Sequence, residues 1–269
     1  MTNHSLNDAF VIREDKSYQN GNIVTTLTLN RPKQFNALSV DMLSALQAEL
    51  DNIASDTSVH VVVLQANGRA FCAGHNLKEM RANTDRAFQK KLFEQCGHMM
   101  LTINQMPQIV IAKVQGIATA AGCQLVATCD LAIASDVAKF ATSGINVGLF
   151  CSTPAVAVSR NMARKQAFEM LITGEFIDAN TALEQGLINR VASHELLDDK
   201  LQDLIDTIMN KSSVAVRMGK QMFYKQLEMP LPAAYDYASE VMTCNMMTED
   251  VAEGIDAFIE KRHPVWKGC

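Results

Sequence analysis

The sequence predicts an α/β core followed by an α-helical C-terminal segment. Three observations carry that prediction. The β-branched runs at 59–66 and 109–114 read as strands buried on both faces. Strand patterns alternate with amphipathic helix patterns up to about Val191. From Ser193 onward the pattern is almost wholly helical. A chain of 269 residues can bury a sizeable core without a disulfide or metal. No fixed-period repeat or low-complexity linker divides it. The soft boundary falls near residue 200, which gives a core over 1–200 and a helical region over 201–269.

The elements follow in order. Residues 10–14 and 23–29 flank Gln19-Asn20-Gly21-Asn22, and Asn-Gly between strand-like runs marks a hairpin. Arg31-Pro32 ends the second strand. Ser39 is the N-cap of a helix with Asp41 in its first turn, and Met42, Leu46, Leu50 and Ile53 share one face. Asn67-Gly68 ends the 59–66 strand. A long helix over 85–105 puts Phe88, Leu92, Cys96, Met99 and Ile103 on one side, and Pro107 stops it. A small-residue helix starts near Ala121. Short strands at 131–134 and 139–141 and helices near 154–162 and 165–172 complete the core.

Composition narrows the function. A net charge of −5 argues against a nucleic-acid surface. The most apolar stretch, 116–134, is broken by Gln124 and Asp130, so no membrane span is expected. The first residues lack the pattern of a signal or transit peptide. Seven cysteines, an odd number without a CxxC pair, argue against a disulfide framework or structural zinc. A reducing compartment fits: cytoplasmic, or mitochondrial as a processed form. No histidine or carboxylate spacing suggests a metal.

Two glycine-containing turns follow the buried strands, at 69–78 and 116–125. Their small residues serve either tight helix–strand packing or close backbone approach to a ligand. In the second reading, N–H groups from the two loops converge on one oxygen, as in an oxyanion hole. His75 reads equally as a surface group or a ligand-site residue. His98 reads as structural and Cys123 as inert core. Gly-x-Gly-x-x-Gly, Walker and Gly-x-Ser-x-Gly signatures are absent.

Longer motifs identify a family. Asn30-Arg31-Pro32 with Asn36-Ala37-Leu38 resembles the N-R-P-x-x-x-N-A-L opening of the crotonase superfamily, the enoyl-CoA hydratases and isomerases. Phe71-Cys72-Ala73-Gly74-His75-Asn76-Leu77-Lys78 resembles its F-x-A-G-A-D-[LI]-K loop. Ala120-Ala121-Gly122-Cys123-Gln124-Leu125, with Cys129-Asp130, resembles its G-G-G-x-E-L-x-x-x-C-D segment. Thr173-Gly174 through Val191, and Glu253-Gly254 through Trp266, match its later motifs. The resemblance implies a crotonase-type spiral of ββα repeats making two sheets, with a C-terminal helical trimerisation region. It implies homotrimers or dimers of trimers, a role in lipid metabolism and no cofactor beyond a CoA thioester as substrate or ligand.

The resemblance also implies roles. The backbone N–H groups of His75 and Ala121 hold the thioester oxygen. His75, Asn76, Leu77 and Lys78 contact the CoA portion, with Ala37 and Gly122 lining the site and Lys33 and Lys78 near phosphates. The family's two catalytic glutamates fall on Gln124 and Gly144 in this chain. Neither residue titrates usefully, so ordinary hydration is expected to be weak or absent. Two hypotheses follow. One is an acyl-CoA enzyme of altered activity, its proton carried by His75, Ser143 or a water on Gln124. The other is a non-catalytic acyl-CoA-binding or scaffold protein.

Overall fold

A computed structural model describes residues 8–18 and 21–269. Its strands are β1 (Val11–Ser17), β2 (Ile23–Leu29), β3 (Val59–Ala66), β4 (Ala70–Cys72), β5 (Ile109–Val114), β6 (Ile117–Thr119), β7 (Leu131–Ser135), β8 (Lys139–Ala141), β9 (Ile177–Asp178) and β10 (Arg190–Ala192). The helices are α1 (Val40–Ala54), α2 (Leu77–Ala82), α3 (Arg86–Gln105), α4 (Ala121–Thr128), α5 (Ser152–Asn161), α6 (Arg164–Thr173), α7 (Ala179–Glu184), α8 (Leu197–Met209), α9 (Ser213–Gln226), α10 (Leu231–Met246) and α11 (Glu249–Glu260).

The strands divide between a six-stranded sheet, β1-β2-β3-β5-β7-β10, and a four-stranded sheet, β4-β6-β8-β9. Among the described residues only β1–β2 and β8–β9 pair antiparallel. The pairs β3/β4, β5/β6 and β7/β8 each send their first strand to the larger sheet and their second to the smaller. A helix follows each pair, which makes the chain a spiral of ββα turns. The Asn20 half of the expected hairpin turn lies outside the described residues; the strands on either side pair as expected.

Alternation along β3 shows how the layers form. Val62 and Leu64 join the main core with α1 and α3, while Val61 and Val63 face Leu197, Leu201, Leu204 and Ile205 of α8. Both faces of the sheet are therefore covered, as its continuous apolar runs require. Ser39 caps α1 by accepting from the Met42 N–H at 3.2 Å.

Two expectations change. Residues 70–72 and 117–119 lie in stretches read as turns and are strands of the smaller sheet. Three residues carry no period-2 pattern; their strand character comes from pairing with one another. The C-terminal region is helical only as far as Glu260, because Pro264 and Gly268 interrupt the pattern. The last residues fold back, with Asp250 accepting from the Lys267 N–H at 2.7 Å.

A buried ion pair fastens α9 to the core. Lys220 Nζ donates to Asp130 at 2.7 Å and to the carbonyls of Ile103 and Gln108 at 2.9 and 2.7 Å. The other Asp130 oxygen accepts from Tyr224 Oη at 2.9 Å. Burial pushes Asp130 up and Lys220 down, and their mutual attraction opposes both shifts. No helix among the described residues is long and apolar enough to cross a membrane.

Candidate functional site

The site begins with a knot in the loop before α1. Phe35 and Asn36 both have φ of 51°, a region that asparagine tolerates better than most side chains. The buried Asn36 side chain accepts from the Arg31 N–H at 2.8 Å and donates to the Asn67 and Ala70 carbonyls at 2.9 Å each. The knot presents the next residues to the loop after β4. Ala73 N–H donates to Phe35 O at 3.0 Å, and Leu38 N–H donates to Gly74 O at 2.8 Å.

That second loop turns at Gly74, whose φ is +88°. A Cβ there would lie 3.1 Å from Ala121 N, the first residue of α4. The two motif loops therefore abut at the end where α4 exposes its unpaired N–H groups. Ala120, just before α4, holds φ 52° and ψ −122°, a conformation that favours glycine. Its N–H is tied to Ala141 O at 3.0 Å. Gly122 has a packing reason: a Cβ there would lie 2.1 Å from Cys72 O.

His75 folds its ring inward. Its Nδ1 is 3.2 Å from Leu38 O, and the ring meets Phe93 edge-on at 5.5 Å. Nε2 is buried and has no hydrogen-bond partner among the described residues. Burial lowers the His75 pKa, and the bond to Leu38 opposes the shift. The ring is thus neutral at pH 7, with a proton on Nδ1 and a lone pair on Nε2. Asn76 caps α2, accepting from the Lys78 and Glu79 N–H groups at 3.1 and 3.3 Å. Leu77 and Lys78 are exposed, Lys33 is exposed in the turn Pro32–Gln34, and Ala37 is half-buried. Neither lysine forms an ion pair among the described residues.

The third wall is the turn Ser143–Val147 with the residues after it. Ser143 Oγ is 2.7 Å from Thr119 Oγ1. A Cβ on Gly144 would lie 2.6 Å from Leu149 O and 2.8 Å from Cys151 Sγ. Gln124 is buried, and its Oε1 lacks a hydrogen-bond partner among the described residues. Burial pushes the Cys123 thiol up to about 12 and raises the Cys151 thiol as well. The structure thus brings the loops of His75, Ala121, Gly122 and Gln124 together.

Three features escape sequence reasoning. They are the hydrogen bonds that the motif residue Asn36 makes, Thr119 as the partner of Ser143, and Cys151. The signal for Asn36 is an Asn in the N-A-L motif followed by a helix cap; nothing in the local pattern marks the others. A separate cleft of about 210 Å³ lies between the outer sheet face and α8. Some of its polar groups are bonded across it, as in Lys16–Gln202 at 3.2 Å.

Comparison with known proteins gives the family and the fold. The family described as enoyl-CoA hydratase/isomerase matches residues 19–269. Enoyl-CoA hydratase domain-containing protein 3, mitochondrial, of Rattus norvegicus is 45% identical over 243 residues, covering 90% of this chain and 81% of the relative. The crystal structure of an enoyl-CoA hydratase from Mycobacterium smegmatis is 54% identical, with a TM-score of 0.92 and coverage of 96% of this chain and 98% of that one. The crystal structure of human enoyl Coenzyme A hydratase domain-containing protein 3 is 42% identical, with a TM-score of 0.89 and coverage of 94% and 99%. This chain has the crotonase fold and belongs to the enoyl-CoA hydratase/isomerase family.

Proposed function

We propose that the protein binds acyl-CoA thioesters and polarises the thioester carbonyl between the backbone N–H groups of His75 and Ala121. The observation that carries this reading is the 3.1 Å approach between a Cβ position on Gly74 and Ala121 N. Two main-chain donors in a buried site stabilise a developing enolate oxygen without any titrating group. Lys33, Ala37, Asn76, Leu77, Lys78 and Gly122 form the CoA side of the same site, with the lysines offered to phosphates.

Ordinary hydration needs one group to take a proton from water and another to deliver one to the α-carbon. Gln124 and Gly144 supply neither, so the reading is binding with weak or altered turnover. A purely non-catalytic binding protein is the second reading, favoured by the obstructed space at Gly144. Self-association as a trimer or a pair of trimers fits the exposed apolar residues of the C-terminal helices, such as Met247 at 82% and Phe258 at 85%. All seven cysteines are free, which supports a reducing compartment, cytoplasmic or mitochondrial.

Isothermal titration with CoA, acetyl-CoA and longer acyl-CoAs tests the reading. Acyl-CoAs are expected to bind, and loss of enoyl absorbance with a short 2-enoyl-CoA is expected to run at least 100-fold slower, as an order of magnitude, than in an ordinary hydratase. If none of them binds, the protein is a scaffold. Turnover within about tenfold of an ordinary hydratase would show that another group moves the protons.

A further inference from the structure

Gly144 leaves a space, and a thiol fills it. Cys151 Sγ lies 2.8 Å from the point that a Cβ on residue 144 would occupy. Cys151 also stands at the N-cap of α5, 6% exposed. Cys123, in the core, directly precedes Gln124 in α4. Its neighbour Gln124, 4% exposed, carries an Oε1 with no hydrogen-bond partner among the described residues. An unmet buried amide beside the start of α4 is an independent sign that a ligand completes this wall.

The chemistry of the ligand class suggests the rest. A 2-enoyl thioester has an electron-poor β-carbon, and thiols are the strongest common side-chain nucleophiles toward such carbons. Positions 124 and 144 are those from which the family resemblance has groups act on the α- and β-carbons. Cys72, Cys96, Cys123 and Cys129 belong to the main core cluster, which does not include Cys151, and Cys244 and Cys269 are exposed in the C-terminal region.

We propose that Cys151 adds across the double bond of a bound 2-enoyl-CoA and holds it as a reversible thioether, a step that rests on the acyl-CoA reading of the site. A sulfur lone pair forms the S–Cβ bond. The C=C π pair moves toward the carbonyl, whose oxygen takes the charge between the N–H groups of His75 and Ala121. The proton released by the thiol ends on the α-carbon as the carbonyl re-forms. Nothing else is consumed, and reversal returns thiol and enoyl-CoA. Because burial raises the Cys151 thiol, the resting group is protonated and addition quickens as pH rises. The protein then captures an enoyl-CoA stoichiometrically where its relatives in the family hydrate one.

The test is intact-protein mass spectrometry after incubation with crotonyl-CoA, with peptide mapping and parallel titrations of crotonyl-CoA and saturated butyryl-CoA. The expected result is one equivalent of adduct, with the whole mass of the probe, on the peptide containing Cys151. The adduct persists when Cys244 and Cys269 are both changed to serine. It is lost in Cys151→Ser, whose circular dichroism and thermal unfolding match the parent. Binding of both thioesters without an adduct overturns the proposal and leaves the acyl-CoA reading intact. So does an adduct on another cysteine, or a gain of the acyl group alone, which would mark thioester exchange. If neither thioester binds, the site reading itself fails and the proposal fails with it.

Discussion

Leu149 closes the site against a side chain at Gly144: its N–H donates to Gly144 O at 3.0 Å, and its own carbonyl oxygen lies 2.6 Å from a Cβ on that glycine. Backbone in a bonded turn cannot swing aside as a flexible side chain can. Gln124 has no such obstacle. Gln124→Glu is therefore expected to raise hydration of crotonyl-CoA by about tenfold, since a single acid–base group acts without its partner. Adding Gly144→Glu is expected to cancel the gain. That overpacking costs about 1–3 kcal/mol and lowers Tm by roughly 2–12 °C. Enoyl absorbance and thermal unfolding measure the two effects. A double variant faster than Gln124→Glu alone would show that the 145–151 turn yields.

Asn36 is the next point of control, because three hydrogen bonds from one side chain fix the loop that carries Lys33 and Ala37. Asn36→Ala removes all three, leaves Asn67 O without this donor, and places alanine at a φ of 51°. The expected loss is about 2–3 kcal/mol of stability. Acyl-CoA affinity is expected to weaken by about tenfold as Ala73 and Gly74 lose their register with Phe35 and Leu38. Asn36→Gly restores the backbone preference but not the bonds, so it recovers only part of the loss. Equal affinity in Asn36→Ala and the parent, read by titration, would separate the knot from the site.

How much of this was legible in the sequence depends on how local each feature is. β3 and β5 fall where their β-branched runs place them, and α1 and α3 follow from caps and periodicity over many residues. The smaller sheet was hidden because β4, β6 and β8 have three residues each and exist through pairing. At the site, the motifs marked the loops of His75 and Ala121. They did not show that Ala120 adopts a glycine-like φ, or that Leu149 and Cys151 fold back on Gly144. Those facts arise from contacts between segments. The sequence marked Asp130 as a motif residue, but its partner Lys220 lies 90 residues away on α9.

That Asp130–Lys220 pair predicts a steep response. The Lys220 and Asp130 side chains are 2% and 8% exposed, so removing one charge strands the other away from water. Lys220→Met is expected to cost about 3–5 kcal/mol and to lower Tm by roughly 6–20 °C. Tyr224→Phe, which removes one bond to Asp130, costs about 1–3 kcal/mol. Lys220→Met with Asp130→Asn is expected to cost less than the sum of the two single changes, because neither charge is then left alone. Thermal unfolding of the two single variants and the double, closed as a cycle with the parent, measures the coupling. Strict additivity would show that the two groups do not act as a pair.

His75 sets a pH dependence whose direction follows from its burial. Burial lowers the folded-state pKa of the ring, and the bond to Leu38 offsets part of the shift. As pH falls through about 6.5, the unfolded chain takes up a proton that the folded chain refuses. The stability that belongs to neutral His75 is therefore complete above that pH and is lost as pH falls toward the folded-state value. His60 is shifted the same way, by burial and by nearby Arg217, and adds to the slope. Tm is expected to fall between pH 7.5 and 5.5, and His75→Asn, which does not titrate, should remove part of that fall and leave the contribution of His60. Acyl-CoA affinity of the parent should stay flat from pH 7 to 8, where the ring is already neutral. A slope unchanged by His75→Asn would mean that the ring titrates in the fold as it does in water, and would remove the basis for reading its Nε2 as a free acceptor inside the site.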